Sequence, residues 1–548
     1  MADNVGVMQR AIAIVLATFV VVTAAAAGRK RGAKNAAKDD CPSFPVTTRT
    51  AQDSRRQRLR ATSEKTSTTK MHELGISMAR LSALPRRVSS ATTSPTSEEY
   101  DKKTDLFHEG RNQGGKLVVI MVGLPGRGKS YMARKVARYL NWINYATRVF
   151  NIGNYRRKLL GADHSANFFD PDNPAGKKQR MEMAEAAMDD MLKYLNNEGE
   201  VAIYDGTNST LERRLWIQER VSKSDGYHLL FIESICEDER IIERNIIDTK
   251  LRSPDYKATS PEEAVADFRA RIAMYRKNYE ALGEADEIFS YVKVIDAGTK
   301  LIMNRIHGYL PMKILSFISN LHIVPRPIYM TCHGESVNSV VQRLGGTAAW
   351  RALESEVARV EAIRRRMIAI RSTVGDSDLT PRGVAFSEAL GNFVAHNVPK
   401  DMSLWYSTAK CARQTAQAIS SEVRVQWRAL RGLEAGLYNS LTKSEFQLNH
   451  PTEYQLRMEN CLWYRYPLGE SYMDVLSRLE PVIFELERCR TPVVIVAHVE
   501  VVRCLYAYFL DLPILDIPKV HAPFNEVIEL HTTAYECLET RHVLLAPE

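Results

Sequence analysis

Hydrophobic positions along this chain of 548 residues change rhythm three times. An uncharged run of 17 residues, Ala11 to Ala27, opens it. From Lys38 to about Gly115, Ser, Thr, Arg and Ala dominate, with no sustained period of 3.6 or 2.0, so this stretch cannot bury enough apolar surface to order itself and reads as a tail. Order begins at Lys116–Val122, a β-branched run of the kind that becomes a buried parallel strand. Tyr131, Val136 and Leu140 then fall at helical spacing, and further strands are expected at Val201–Asp205, Tyr227–Glu233 and Tyr291–Asp296. Strands separated by helical segments predict a doubly wound α/β sheet over about 115–323. Pro325-Arg326-Pro327 punctuates the chain, and Ile328–Thr331 and Val493–His498 read as strands of a second α/β unit, 324–548. Inside it Trp350, Leu353, Val357, Val360 and Met367 recur at three- and four-residue steps, which predicts an amphipathic helical insertion over 347–374. Packing on its own domain explains that insertion, and covering a pocket or docking a partner would use the same face.

Composition narrows the class. With 45% hydrophobic and 25% charged residues, a wholly disordered, collagenous or multi-span membrane chain is excluded. The formal charge of +9 resides largely in the first hundred residues, so it does not mark the globular part as a nucleic-acid binder. Eight cysteines show no C-x-x-C pair and no zinc-like clustering with histidine, which reads as reduced thiols of a cytoplasmic protein. The run at 11–27, within an N-terminal segment of residues 1–28, fits both a short membrane anchor and a signal-peptide core. Arg29, Lys30, Arg31, Lys34 and Lys38 follow it, so an anchored chain would keep its bulk on the cytoplasmic side. In the 29–114 tail, Arg86-Arg87-Val88-Ser89 suits a basic-directed kinase, as chance sites in a Ser-rich tail also do.

The first chemical signal follows the 116–122 strand. Gly123-Leu124-Pro125-Gly126-Arg127-Gly128-Lys129-Ser130 matches G-x-x-x-x-G-K-[ST], in which glycines let backbone N–H groups curl around phosphate oxygens and the helix N-terminus adds its positive dipole end. Lys129 would reach the β/γ-phosphates of a nucleotide and Ser130 would hold Mg²⁺. Such a site also needs a carboxylate at a neighbouring strand end, for the metal or for the acceptor's proton. Asp205 fills that place, with an N-cap for the helix near Leu211 as its purely structural alternative.

The longer strings GLPGRGKSY, RYLNWI (138–143), VFNIGNYRR (149–157), NFFDPDN (167–173), YDGTNSTLERR (204–214), FIESIC (231–236) and SPDYK (253–257) together resemble the 6-phosphofructo-2-kinase/fructose-2,6-bisphosphatase family over about 115–548. The resemblance implies a P-loop kinase making fructose 2,6-bisphosphate from fructose 6-phosphate and ATP, with ATP and Mg²⁺ as cofactors and a homodimer as one assembly to expect. It implies a fructose 6-phosphate site of Arg156, Arg180, Thr207, Arg213, Lys250, Arg271 and Tyr275. The ATP site would be Gly123 to Tyr131 with the segment from Asn245 to Lys250, and Cys236 stands at a position the family assigns to its kinase site. Asp170 departs from the basic residue usual there.

The second half resembles the histidine-phosphatase family, a phosphoglycerate-mutase-like α/β fold, through Cys332-His333-Gly334-Glu335-Ser336, Leu379-Thr380-Pro381-Arg382-Gly383, Leu404-Trp405-Tyr406-Ser407 and Val493 to His498. His333 and His498 stand at the family's two histidine positions, the first being the phosphoryl acceptor. The partners do not follow. Cys332 and Cys411 occupy the places of two phosphate-binding arginines, and Gly432 that of the glutamate acid. One lost donor to transition-state charge costs ~3–4 kcal/mol and a lost general acid about 10²- to 10⁴-fold, so the three together imply hydrolysis slowed on the order of 10⁵-fold. Substitution by Arg413 and Glu434 is the counter-reading, and a bifunctional enzyme or a non-catalytic binding scaffold are the rival functions.

Overall fold

The computed structural model describes residues 115–161, 166–224, 226–250, 254–256, 260–322, 324–340, 342, 377–439, 441–533 and 537–546. The expectations for 11–27, for the tail with Arg86–Ser89 and for the 347–374 insertion lie outside these residues. No described helix is long and apolar enough to cross a membrane.

The first half runs β1 (Lys116–Val122), α1 (Lys129–Trp142), β2 (Thr147–Asn151), α2 (Ile152–Leu160), α3 (Pro174–Asn197), β3 (Val201–Asp205), α4 (Leu211–Ser222), β4 (Tyr227–Ile235), α5 (Glu239–Lys250), α6 (Pro261–Lys277), β5 (Tyr291–Ile295), β6 (Lys300–Asn304) and α7 (Tyr309–Ile318). Its sheet has the order β2-β3-β1-β4-β5-β6, parallel except for the antiparallel edge strand β6. Both faces of β1 are covered: Leu117, Val119 and Met121 enter one core, Val118, Ile120 and Val122 the other. That explains its unbroken apolar run, since a parallel strand under helices has no wet face. The two strands that periodicity did not reveal, β2 and β6, are edge strands of five residues with partly exposed side chains, too short and too polar for a pattern.

The second half runs β7 (Pro327–Cys332), α8 (Pro381–Asn397), β8 (Ser403–Ser407), α9 (Lys410–Thr415), β9 (Val423–Trp427), α10 (Lys443–Asn449), α11 (Pro451–Glu459), α12 (Tyr472–Arg488), β10 (Val493–Ala497), α13 (Val499–Leu510), β11 (Glu526–Thr532) and β12 (Cys537–Val543). Its sheet order is β12-β11-β7-β10-β8-β9, with β7, β10, β8 and β9 parallel and β11 antiparallel to both its neighbours.

The halves share one apolar core, in which α1 packs against α12 and α13. Trp142 Nε1 donates to the Cys504 carbonyl at 2.8 Å, and Tyr139 stacks on Phe317 at 4.4 Å. In this dry contact Lys135 pairs with Glu487 at 2.8 Å, Tyr508 donates to the same carboxylate at 2.7 Å and Arg138 lies 3.5 Å away. Burial pulls the Lys135 ammonium down and pushes the Glu487 carboxyl up. The attraction of Lys135 and Arg138 outweighs burial at Glu487 and holds it at about 2, so we take the pair as charged at neutral pH. Its contribution is present above the ordinary carboxyl value of 4.5 and is lost as pH falls toward about 2. Glu487→Ala, which strands a buried ammonium, is expected to cost about 3–5 kcal/mol. A urea-denaturation midpoint unchanged from wild type would refute this.

Candidate functional site

The phosphate loop sits where the strand order turns, with β1 flanked by β3 and β4 and its carboxyl end open. Gly123 has φ +133° and a Cβ there would lie 2.5 Å from the Ser234 carbonyl oxygen, so only glycine fits. Gly128 caps α1 in the left-handed region at φ +81°, with nothing within 4 Å of where a Cβ would stand. Neighbours strap the loop: Ser234 Oγ donates to the Arg127 carbonyl at 2.5 Å, Asn245 Nδ2 to that of Gly126 at 3.1 Å, and the Gly123 amide to that of Thr207 at 3.0 Å. Lys129 is buried, with Nζ on the Leu124 carbonyl at 2.7 Å inside the loop's curl. Pro125 likewise meets the Arg127 guanidinium through its carbonyl at 3.3 Å, and Tyr131 donates its hydroxyl to the His322 carbonyl at 3.1 Å.

Asp205 is buried at the end of β3, where register sets it beside Asn151 of β2. The Asn151 amide donates to Asp205 Oδ2 and approaches Ser130 Oγ at 3.4 Å, so hydroxyl and carboxylate converge on one side chain. This hard-oxygen pair at the loop suits Mg²⁺, which binds through few protein oxygens beside substrate phosphates. Asp205 does not cap α4; Thr210 does, accepting from the Arg213 amide at 3.3 Å.

Several of the predicted sugar-phosphate residues converge on Phe169. Arg156 pairs with Asp255 at 2.5 Å, and Arg271 lies 3.7 Å from the same oxygen, donates to Tyr256 Oη at 2.9 Å and stacks 3.9 Å over the Phe169 ring. Tyr275 packs on Phe169 at 5.7 Å. Arg180 reaches the Phe168 carbonyl and that of Asp170, the latter at 3.3 Å, while Arg213 donates to Tyr204 Oη at 3.2 Å. Burial lowers the pKa of Arg156, Arg180 and Arg213. Arg156 Nη1 and Arg271 Nε are buried without a hydrogen-bond acceptor among the described residues. Asp170 pairs with Lys277 at 3.2 Å and also acts electrostatically on Arg180. The side chain of Lys250 lies outside the described residues. Asn151, Phe169, Asp255 and Tyr256 carry no role in the sequence reading, although all four lie within its diagnostic strings.

Cys236 is apart from that cluster. It lines a small cleft beside Arg127, Asn245 and His322, and burial pushes its thiol up, which disfavours the thiolate.

In the second half, His333 and His498 face each other with ring centroids 4.8 Å apart at the ends of β7 and β10. His333 Nδ1 lies 2.8 Å from the Gly334 carbonyl and His498 Nε2 3.1 Å from Ser407 Oγ. Burial depresses both imidazoles, and His333, Arg431 and Arg478 depress His498 further. At the three positions where the resemblance expects two arginines and a glutamate, neutral residues stand. Cys332 is 1% exposed within the apolar core, and burial pushes its thiol up. Cys411 is buried on α9, and a Cβ at Gly432 would already lie 3.3 Å from the His498 ring. Of the two candidate substitutes, Arg413 is exposed, and the Glu434 carboxylate accepts from Asn439.

A P-loop sheet joined to a two-histidine, phosphatase-like sheet defines a two-domain protein of the kinase–phosphatase type. The family model for 6-phosphofructo-2-kinase matches residues 105–325, and that for branch 1 of the histidine phosphatase superfamily matches 328–542. A curated human relative, 6-phosphofructo-2-kinase/fructose-2,6-bisphosphatase 3, is 40% identical over 435 residues, covering 78% of this chain and 78% of its own length. A rat form, number 4, is 40% identical over 422 residues, covering 77% and 83%. An Arabidopsis thaliana relative bearing the family name is 40% identical over 443 residues, 80% of this chain, which spans about 55% of that longer protein. The chain belongs to the 6-phosphofructo-2-kinase/fructose-2,6-bisphosphatase family, and its first half is a 6-phosphofructo-2-kinase domain.

Proposed function

We propose that the chain transfers the γ-phosphoryl group of ATP to the 2-hydroxyl of fructose 6-phosphate and that its second half hydrolyses the product slowly or not at all. The observation that carries this is a contrast between two sites: the loop holds a buried Lys129, with Ser130 and Asp205 meeting at Asn151, whereas Cys332, Cys411 and Gly432 stand where the resemblance expects two arginines and a glutamate. Phosphoryl transfer asks a protein mainly for position and charge. Loop amides, the α1 N-terminus and Lys129 would stabilise the phosphate oxygens, and Arg156, Arg180, Arg213 and Arg271 would fix the sugar phosphate. Thr207 adjoins the loop through its carbonyl. Ser130 and Asp205 would hold Mg²⁺, which neutralises phosphate charge when bound. Asn245 braces the loop from α5. The basic flank from Arg29 to Lys38 supports placing both halves in the cytoplasm, with residues 11–27 as a tether where they are retained.

The test is product identification. Incubated with Mg-ATP and fructose 6-phosphate, the full chain should yield fructose 2,6-bisphosphate by mass spectrometry and release no phosphate from it over the same period. Brisk phosphate release would establish the bifunctional reading, and no product would leave a binding scaffold.

A further inference from the structure

The chain shows no zinc-like spacing, yet folding gathers His333, Cys411 and His498 so that one ligand atom of each lies within 4.8 Å of the others. We infer that these three side chains form a binding site for a single zinc ion in the pocket where a phosphoryl group would otherwise be received.

The donor set comes first. Two imidazoles and a thiolate are the ligands of a borderline-soft, tetrahedral cation, and three protein ligands are the number found at open zinc sites, where water or a small anion completes the coordination. Geometry agrees. Zn–N bonds of about 2.0–2.1 Å and Zn–S of about 2.3 Å place tetrahedral donors roughly 3.3–3.7 Å apart, so closure of at most about 1–1.5 Å by side-chain rotation suffices.

Support around the ligands also matches. His333 Nδ1 is held by the Gly334 carbonyl, which leaves Nε2 with its lone pair, and Ser407 Oγ orients the His498 ring from Nε2, so a metal there takes Nδ1 or displaces that hydroxyl. Such outer partners fix the tautomer and aim of metal-bound histidines. The same substitutions that remove phosphate chemistry favour a cation. An arginine at 411 would repel it, whereas Cys411 contributes a soft donor and, on binding, releases its proton to solvent as the S–Zn bond forms. Of the two guanidinium groups that act on His498, Arg478 is paired with Glu470 at 2.8 Å. Bound in this way, His333 would have no lone pair left for phosphate. The inference concerns only the second half and stands whether or not the kinase reading does.

The experiment uses the full chain, stripped with a chelator and dialysed against micromolar Zn²⁺ or Co²⁺. Wild type should retain one equivalent of zinc and, with cobalt, show a thiolate-to-metal band in the near ultraviolet together with the intense visible bands of tetrahedral Co²⁺. Cys332→Ala should keep both signals. Cys411→Ser should lose them while its circular dichroism and cooperative unfolding remain, and His333→Gln gives the same reading if the serine variant does not fold. Failure of the wild type to retain zinc, or a thiolate band that survives in Cys411→Ser, overturns the assignment.

Discussion

Lys129→Ala is expected to lower fructose 2,6-bisphosphate synthesis by about 10²- to 10³-fold, the loss that follows removal of one preorganised donor to transition-state charge. The reason lies in where the ammonium is held. The Lys129 side chain is buried and directed into the loop's own curl, with Nζ on the Leu124 carbonyl, so it needs little reorganisation to meet a phosphate. Asp205→Ala should be comparably severe, because it removes the carboxylate that shares Asn151 with Ser130. The two defects should differ in kind. Raising free Mg²⁺ should recover part of the Asp205→Ala loss and none of the Lys129→Ala loss, and initial rates across a Mg²⁺ series separate them. Activity within severalfold of wild type in the lysine variant would show that the loop is not the site of transfer.

The second large effect concerns a reaction the chain should lack. Hydrolysis of fructose 2,6-bisphosphate is expected to run on the order of 10⁵-fold below that of a relative carrying both arginines and the acid. Losses within one catalytic unit do not add simply, so this is a scale for the combined defect and not a sum. The triple variant Cys332→Arg/Cys411→Arg/Gly432→Glu is expected to restore hydrolysis in part only. A Cβ at 432 meets the His498 ring at 3.3 Å, and an arginine at 332 must enter a site where a thiol is packed in the apolar core. Phosphate release from labelled substrate measures both quantities. Wild-type release as fast as synthesis would refute the idea of a silenced pocket.

Much of this was legible in the chain. The phosphate loop is local, since its glycines, lysine and serine are consecutive and the strand before it is an uninterrupted apolar run. The proposal of a silenced pocket rests on the sequence too, because Cys332, Cys411 and Gly432 are identities at positions set by neighbouring strings. The arginines proposed for the sugar phosphate came from the resemblance alone, as isolated basic residues look like solvated ones. Their partner Asp255 and the stacking ring of Phe169 gave no signal of their own. Short edge strands such as β2 and β6 went unread because five half-exposed residues carry no period.

Local order in the sequence therefore determined the two α/β units, the phosphate loop and the identities of the residues beside the histidine pair. Tertiary structure alone decided which distant residues meet: Asn151 with Asp205 across a strand register, Lys135 with Glu487 between the halves, and His333 with Cys411 and His498. The physical reason is that a motif is written in consecutive residues, whereas a pair or a ligand set is written in the packing of strands and helices whose ends lie far apart along the chain.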